Sequence, residues 1–400
     1  MSERGKVVPM SARRRVPSPR HVAEFAEIAR RLQRERDTAA HLVERLLRET
    51  PRERWSELAE REELRTCGAL EKLGNRVAKT LERDPREALA LSELAVAIVQ
   101  VVPSTSYHPV VLSQLRAHAW KDVGQSLAYL GRYDEALSAF DRAEDAMAPF
   151  VGLTHDQAIV RFVRATTLQE IDRHDESFAL LAECKEVFRE HADNRRLLLC
   201  GIAEGVLLHR LRKYREAREA YLLLLAATRE SIDREAVACL HNVIGHCSVD
   251  LGDYPAADTY LSRAIELFHE LGQPLQAAKA ELGRGRLLVR MGQVARGVAH
   301  LRAIRAEFLR HRLVEEAGLC GLEIVEAQLA RNSVREAEEL ARQIVSEFRA
   351  AGLNDRAITA LRHLSAAITA RRASVATVGN VRDFILSLRT CPEREFVATA

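Results

Sequence analysis

Apolar and polar positions alternate at helical spacing along most of the chain, and they are clearest between Ala117 and Pro149. Trp120, Val123, Gly124 and Leu127 keep one helical beat, Gly131 interrupts it, and Tyr133, Ala136, Phe140 and Ala143 resume it. The pattern predicts two antiparallel helices joined by a short turn. It recurs: the equivalents of Tyr133 are His174, Tyr214, Tyr254, Val294 and Val334, in steps of 41, 40, 40, 40 and 40 residues. Two further columns keep the same register. The small position of the first helix runs Gly124, Ala165, Gly205, Gly245, Gly285, Val325, and the small position of the second runs Ala136, Ser177, Ala217, Ala257, Gly297, Ala337. A single helix pair cannot bury its own apolar stripe, so the units must stack.

The order Trp, Gly, then Gly-x-Tyr-x-x-Ala-x-x-x-Phe-x-x-Ala over 120–143 resembles the tetratricopeptide repeat. The resemblance implies an all-α fold, a right-handed superhelical solenoid of antiparallel helix pairs. A period of 40 exceeds the roughly 34 residues of the standard motif, which implies helices lengthened by most of a turn each. A HEAT-like array shares that period but does not explain Gly-Arg-Tyr at 131–133 or Gly-Asp-Tyr at 252–254. The family implied is the bacterial cytoplasmic type, whose arrays follow a helical N-terminal region and bind peptides or partner proteins.

The register organises the rest of the chain. Residues 1–18 are polar and basic with Arg13, Arg14 and Arg15, and read as a disordered arm. Residues 19–109 read as an N-terminal helical region: a helix from Pro19 to Arg48 broken near Asp37–Thr38, then a long helix from about Arg54 to Leu81 and another through Val102, the last two a degenerate repeat marked by Leu73-Gly74-Asn75 and Glu87-Ala88. The prolines of 102–109 mark a boundary or bend. Six repeats occupy 110–351, and capping helices with a tail occupy 352–400, where the motif fades as the terminal units of a solenoid require.

Composition narrows the function. Lys and Arg total 60 against 57 Asp and Glu, a formal charge of +3, which gives no electrostatic case for nucleic acid as the main partner. No apolar run is long enough to span a bilayer and no signal peptide opens the chain, so a cytoplasmic protein is expected, with no membrane partner. Seven widely spaced cysteines without a Cys-x-x-Cys pair read as reduced, buried thiols. No phosphate loop, nucleophile elbow, zinc-protease motif or dinucleotide fingerprint is present, so no catalytic residue and no cofactor is assigned. In CLHNVIGHC at 239–247 the two cysteines stand eight residues apart and the two histidines five, so a packing role accounts for the segment better than a metal site.

What remains is the concave groove lined by the first helices. Its candidate lining comprises Lys121, Gln125, Phe162, Thr166, Gln169, His209, Asn242, His246, Arg286 and Glu326. Such a mixed surface suits a protein or peptide, because scattered amides pair with backbone while apolar patches exclude water. The family's clamp for a chaperone's C-terminal carboxylate is missing: Gln125, Val163, Leu199 and Ala203 stand where Asn, Asn and the basic pair are needed. Asn242 and His246, one turn apart, with Arg286 on the next repeat, form the expected polar anchor. The reading is a non-enzymatic binding scaffold; the alternative is a ligand-responsive regulator whose N-terminal helices carry the output.

Overall fold

The structure, a computed structural model, describes residues 19–81, 84–230, 233–311, 313–388, 394, 396 and 397, with side chains from residue 27 onward. The arm 1–18, with Arg13, Arg14 and Arg15, and Cys391 lie outside the described residues. The described chain is α-helical with two short 3-10 segments and no strand. It divides into two compact units, Met1–Asp122 and Val123–Ala400.

In the first unit, α1 (Pro19–Glu49) runs without the break expected at Asp37–Thr38. The Asp37 carboxylate accepts from Gln33 Nε2 at 2.9 Å, one turn back in the same helix. The long helix expected from Arg54 is instead 3-10 over Arg52–Glu60 and Glu62–Leu64, with Trp55 buried and its indole N–H donating to the Thr50 carbonyl at 3.0 Å. The α-helix proper, α2 (Cys67–Thr80), begins where the Thr66 hydroxyl accepts from the Ala69 N–H. There α1 and α2 cross so closely that a Cβ on Gly68 would lie 2.4 Å from the Glu35 backbone. Next come α3 (Pro85–Val101) and α4 (Pro109–Tyr129), and the division between units falls within α4. The link before α4 is tied back by Tyr107, whose hydroxyl donates to Glu35 at 2.7 Å and accepts from the Cys67 N–H at 3.0 Å.

The second unit is a solenoid. After α5 (Tyr133–Met147), helices of the first kind begin at Thr154, Asn194, Arg234, Pro274 and Val314, forty residues apart: α6 (Thr154–Glu170), α8 (Asn194–Arg210), α10 (Arg234–Asp250), α12 (Pro274–Arg290) and α14 (Val314–Ala330). They alternate with α7 (His174–Glu190), α9 (Tyr214–Ala227), α11 (Tyr254–Glu270), α13 (Val294–Arg310) and α15 (Val334–Ala350). The lengthening expected from the 40-residue period is present, since nearly all of these helices have 17 residues.

Three local rules set this regularity. Asp193, Asp233 and Asp253 cap the starts of α8, α10 and α11 with side-chain bonds to backbone N–H groups. The turns within pairs place one residue at positive φ: Gly131, Asp172, Arg212, Gly252, Gly292 and Asn332, at 73°, 52°, 58°, 75°, 80° and 59°. In each turn the next N–H reaches back to a carbonyl inside the preceding helix, as Asp253 does to Ser248 at 2.9 Å, which closes the helix end. Third, the small column lets paired helices touch. A Cβ on Gly124, Gly205, Gly245 or Gly285 would come within 2.4, 2.2, 2.6 or 2.5 Å of Phe140, Tyr221, Leu261 or Leu301. The second small column is fully buried at Ala136, Ser177, Ala217, Ala257 and Ala337.

The last pair, α16 (Asp355–Thr369) and α17 (Val375–Ser387), breaks the pattern. Each first helix from α6 to α12 touches the next first helix, whereas α14 is touched on that side by α17. Val378, Val381, Phe384, Ile385 and Leu388 of this segment join Leu322 and Val325 of α14 in one core, and Phe396 meets Phe384 edge-to-face at 5.0 Å between ring centroids.

Candidate functional site

The candidate residues fall in different surroundings. Lys121 belongs to the first unit, where its ammonium pairs with Asp122 at 2.7 Å, and Gln125 is half-buried at the start of the second. Phe162 packs against the core around Phe188 and Cys184. Thr166 spends its hydroxyl on the Val163 carbonyl at 2.8 Å. Gln169 is not on an open face at all. Only 3% exposed, it donates to Ser177 Oγ at 3.3 Å and to the Ala203 carbonyl at 3.2 Å. Ser177 is the polar member of an otherwise Ala/Gly column, and its buried hydroxyl, which also donates to the Ala165 carbonyl at 2.9 Å, draws the amide inward.

Three of the others, His209, Arg286 and Glu326, are linked by an ion-pair ladder. His209 on α8 bonds Asp250 on α10 at 3.0 Å, and the second carboxylate oxygen takes Arg286 of α12, also at 3.0 Å. Arg286 approaches Glu323 on α14 at 3.7 Å, and Arg382 of α17 bridges Glu323 at 2.9 Å and Glu326 at 3.0 Å. Five helices are thus joined by alternating charges. Sequence reasoning found His209, Arg286 and Glu326 but missed Asp250, Glu323 and Arg382, because a charge on a helix face is ordinarily solvated and only stacking shows which charges meet. Burial alone would raise the Asp250 carboxyl, but the His209 hydrogen bond and the Arg286 charge hold it below the usual range. Burial also opposes the charge on Arg382, and Glu323 and Glu326 more than offset it.

His246 and Asn242 sit beside this ladder on α10. The His246 ring is received by Gly283, where a Cβ would lie 2.8 Å from it. Desolvation, reinforced by the Arg286 and His209 charges, pushes its pKa down to about 4 against the pull of Asp250 and a bond to the Lys279 backbone. The Asn242 amide has no hydrogen-bond partner among the described residues, and its oxygen is buried.

The His246 shift has a sign. Since the folded pKa lies below the unfolded value of about 6.5, the unfolded chain binds the extra proton between the two. Its stabilising contribution is complete above about pH 6.5 and is lost as the pH falls toward 4. Between pH 6.5 and 5 it should cost on the order of 1–2 kcal/mol. Thermal melts of His246→Gln should therefore depend on pH less steeply over that interval than those of the unsubstituted protein; parallel slopes would disprove the assignment.

Neither a metal nor thiol chemistry is suggested here. Among the described residues no group of three or more His, Cys, Asp or Glu could hold an ion. Burial pushes the thiols of Cys184, Cys200, Cys247 and Cys320 up to about 12 and that of Cys67 to about 11, so these remain protonated at neutral pH. The His241 ring packs against that of Tyr260, with centroids 5.4 Å apart. Among the described residues no helix is long and apolar enough to cross a membrane.

Helix pairs at a 40-residue period, closed by the same turn and packed through the same small column, define an all-α repeat solenoid. The family model described as tetratricopeptide repeat matches residues 115–190. Solved structures share the fold. The Rap conjugation gene regulator of the plasmid pLS20, in complex with the Phr* peptide, has a TM-score of 0.53 at 13% identity, over 81% of this chain and 96% of its own. The apo form of RapI has a TM-score of 0.50 at 15% identity, over 86% of this chain and 98% of its own. At those identities the likeness is one of fold. No curated protein matches the sequence significantly.

Proposed function

We propose that the second unit is a non-enzymatic binding platform for a peptide or partner protein, engaged on the face formed by its first helices around Asn242. The observation that carries this reading is the unpaired Asn242 amide beside a ladder whose other polar groups are satisfied. A half-buried amide without a partner is costly unless something supplies one, and a peptide backbone supplies both a donor and an acceptor. Half-buried Ile202, Val206 and Leu282 supply apolar surface on the same face. The peptide held by the plasmid pLS20 regulator, a protein of the same fold, supports the ligand class.

A regulator, in which ligand on the second unit controls an output carried by the first, is the second reading; it is favoured by the division of the chain into two compact units. The binding experiment is selection of a displayed peptide library against the full-length protein, followed by affinity measurement on Asn242→Ala. Because the amide bonds nothing in the free chain, the substitution should leave the melting temperature unchanged while weakening selected peptides roughly 10-fold or more. Unchanged affinity would move the site off this face. The regulator reading adds that deletion of residues 1–102 spares peptide affinity.

A further inference from the structure

The first helices run along one face of the second unit, and at α14 that face is already covered by the chain itself. Arg382 of α17 lies between Glu323 and Glu326, and Val378, Val381, Phe384 and Ile385 share one core with Leu322. In the regular array the next first helix touches there; here α16 keeps its contact with α15, and α17, which also packs on α16, turns in against α14.

Two features make this an occupant rather than a structural member. It is the shortest α-helix among the described residues, with 13 residues, near the length at which an isolated helix is marginal. Its start is also set locally: Ser374 with Thr377 forms a reciprocal capping box, so that end of the helix is delimited by its own residues. An outward salt bridge, Asp383 to Arg212 at 3.7 Å, is exposed on both sides and adds little.

We propose that the α14 face is the docking site for an arginine-bearing amphipathic helix of the partner, and that α17 is its internal surrogate, displaced when the partner binds. The chemistry of the occupant is written in the site. Two glutamates one turn apart take a single guanidinium, and the apolar surface beside them takes residues at spacing i, i+3, i+4, the pattern that Val381, Phe384 and Ile385 supply. The inference rests on the reading of this unit as a binding platform, and it adds a competition: partner affinity is reduced by the fraction of molecules in which α17 is seated.

The test uses a labelled peptide of residues 374–388 and the full-length protein. Arg382→Glu in the protein sets three carboxylates together and should release α17, so the peptide should bind this variant at least 10-fold more tightly than the unsubstituted chain. Adding Glu323→Lys and Glu326→Lys to Arg382→Glu should reseat the helix and abolish that gain. A peptide carrying Glu at the Arg382 position should bind neither the unsubstituted chain nor Arg382→Glu. Hydrogen exchange on the unsubstituted protein avoids any folding defect: excess peptide should speed exchange in α17 while α14 stays protected. Equal peptide affinity for the unsubstituted chain and Arg382→Glu overturns the proposal, and so does α17 exchange that excess peptide leaves unchanged. Neither result depends on Asn242, so failure here is separable from failure of the platform reading.

Discussion

Glu347→Ala is expected to lower the unfolding free energy by about 3–5 kcal/mol, the cost of stranding one member of a buried ion pair. Glu347 on α15 accepts from Arg305 on α13, whose side chain is only 8% exposed. The guanidinium has little alternative: its Nε is buried without a partner, and the backbone at Gly321 leaves room for it only because no Cβ is present. Removing the carboxylate leaves a largely buried guanidinium without its ion-pair partner. The repeats also show how to remove the pair safely. One repeat earlier, Ile265 occupies the position of Arg305, and two repeats earlier Leu267 occupies that of Glu347; both are buried. Arg305→Ile with Glu347→Leu should therefore be close to neutral or stabilising, since an ion pair replaced by apolar side chains of similar size no longer bears its desolvation cost. Urea denaturation followed by circular dichroism measures both. A double variant as unstable as Glu347→Ala would show that the pair itself, and not the stranded charge, holds the two helices together.

The same column arithmetic explains what was legible beforehand. Equivalent positions share burial and contacts, so Tyr133, Gly205 and Ala257 declare the register, the turns and the helix lengths without a structure. An arginine standing in the column of Ile265 and Val345 was likewise visible as an exception, although its partner was not. Pairing across repeats depends on how the helices stack, and Glu347 lies 42 residues from Arg305. The same holds for the candidate site. Asn242, His246 and Arg286 follow from the face of one column, but Asp250 lies one position off it, and Arg382 belongs to a helix with no repeat motif to fix its place. The first unit was hardest to read. Its 3-10 segments at 52–64 form around a buried Trp55, a tertiary demand that overrides the helical spacing of the sequence there.

Gly205→Leu should destabilise the second unit by about 2–3 kcal/mol even though leucine is the better helix former, because overpacking outweighs a propensity gain of under about 1 kcal/mol. The added Cβ would come 2.2 Å from the Tyr221 ring, and both positions are fully enclosed. The array contains the compensating exchange already. Where the first helix carries Val325 in place of glycine, the facing position shrinks from Phe140, Leu181, Tyr221, Leu261 and Leu301 to Ala341, and both Val325 and Ala341 are completely buried in one core. Volume at this contact is therefore held constant while its distribution between the helices is free. Tyr221→Ala alone should open a cavity worth about 3–5 kcal/mol. Gly205→Leu with Tyr221→Ala fills that cavity from the other side and should be more stable than Tyr221→Ala alone, a coupling of opposite sign to two independent defects. Denaturation of the two singles and the double decides it. If the losses simply add, the facing residues do not share one volume, and the helix pairs are held at their spacing by contacts elsewhere along α8 and α9.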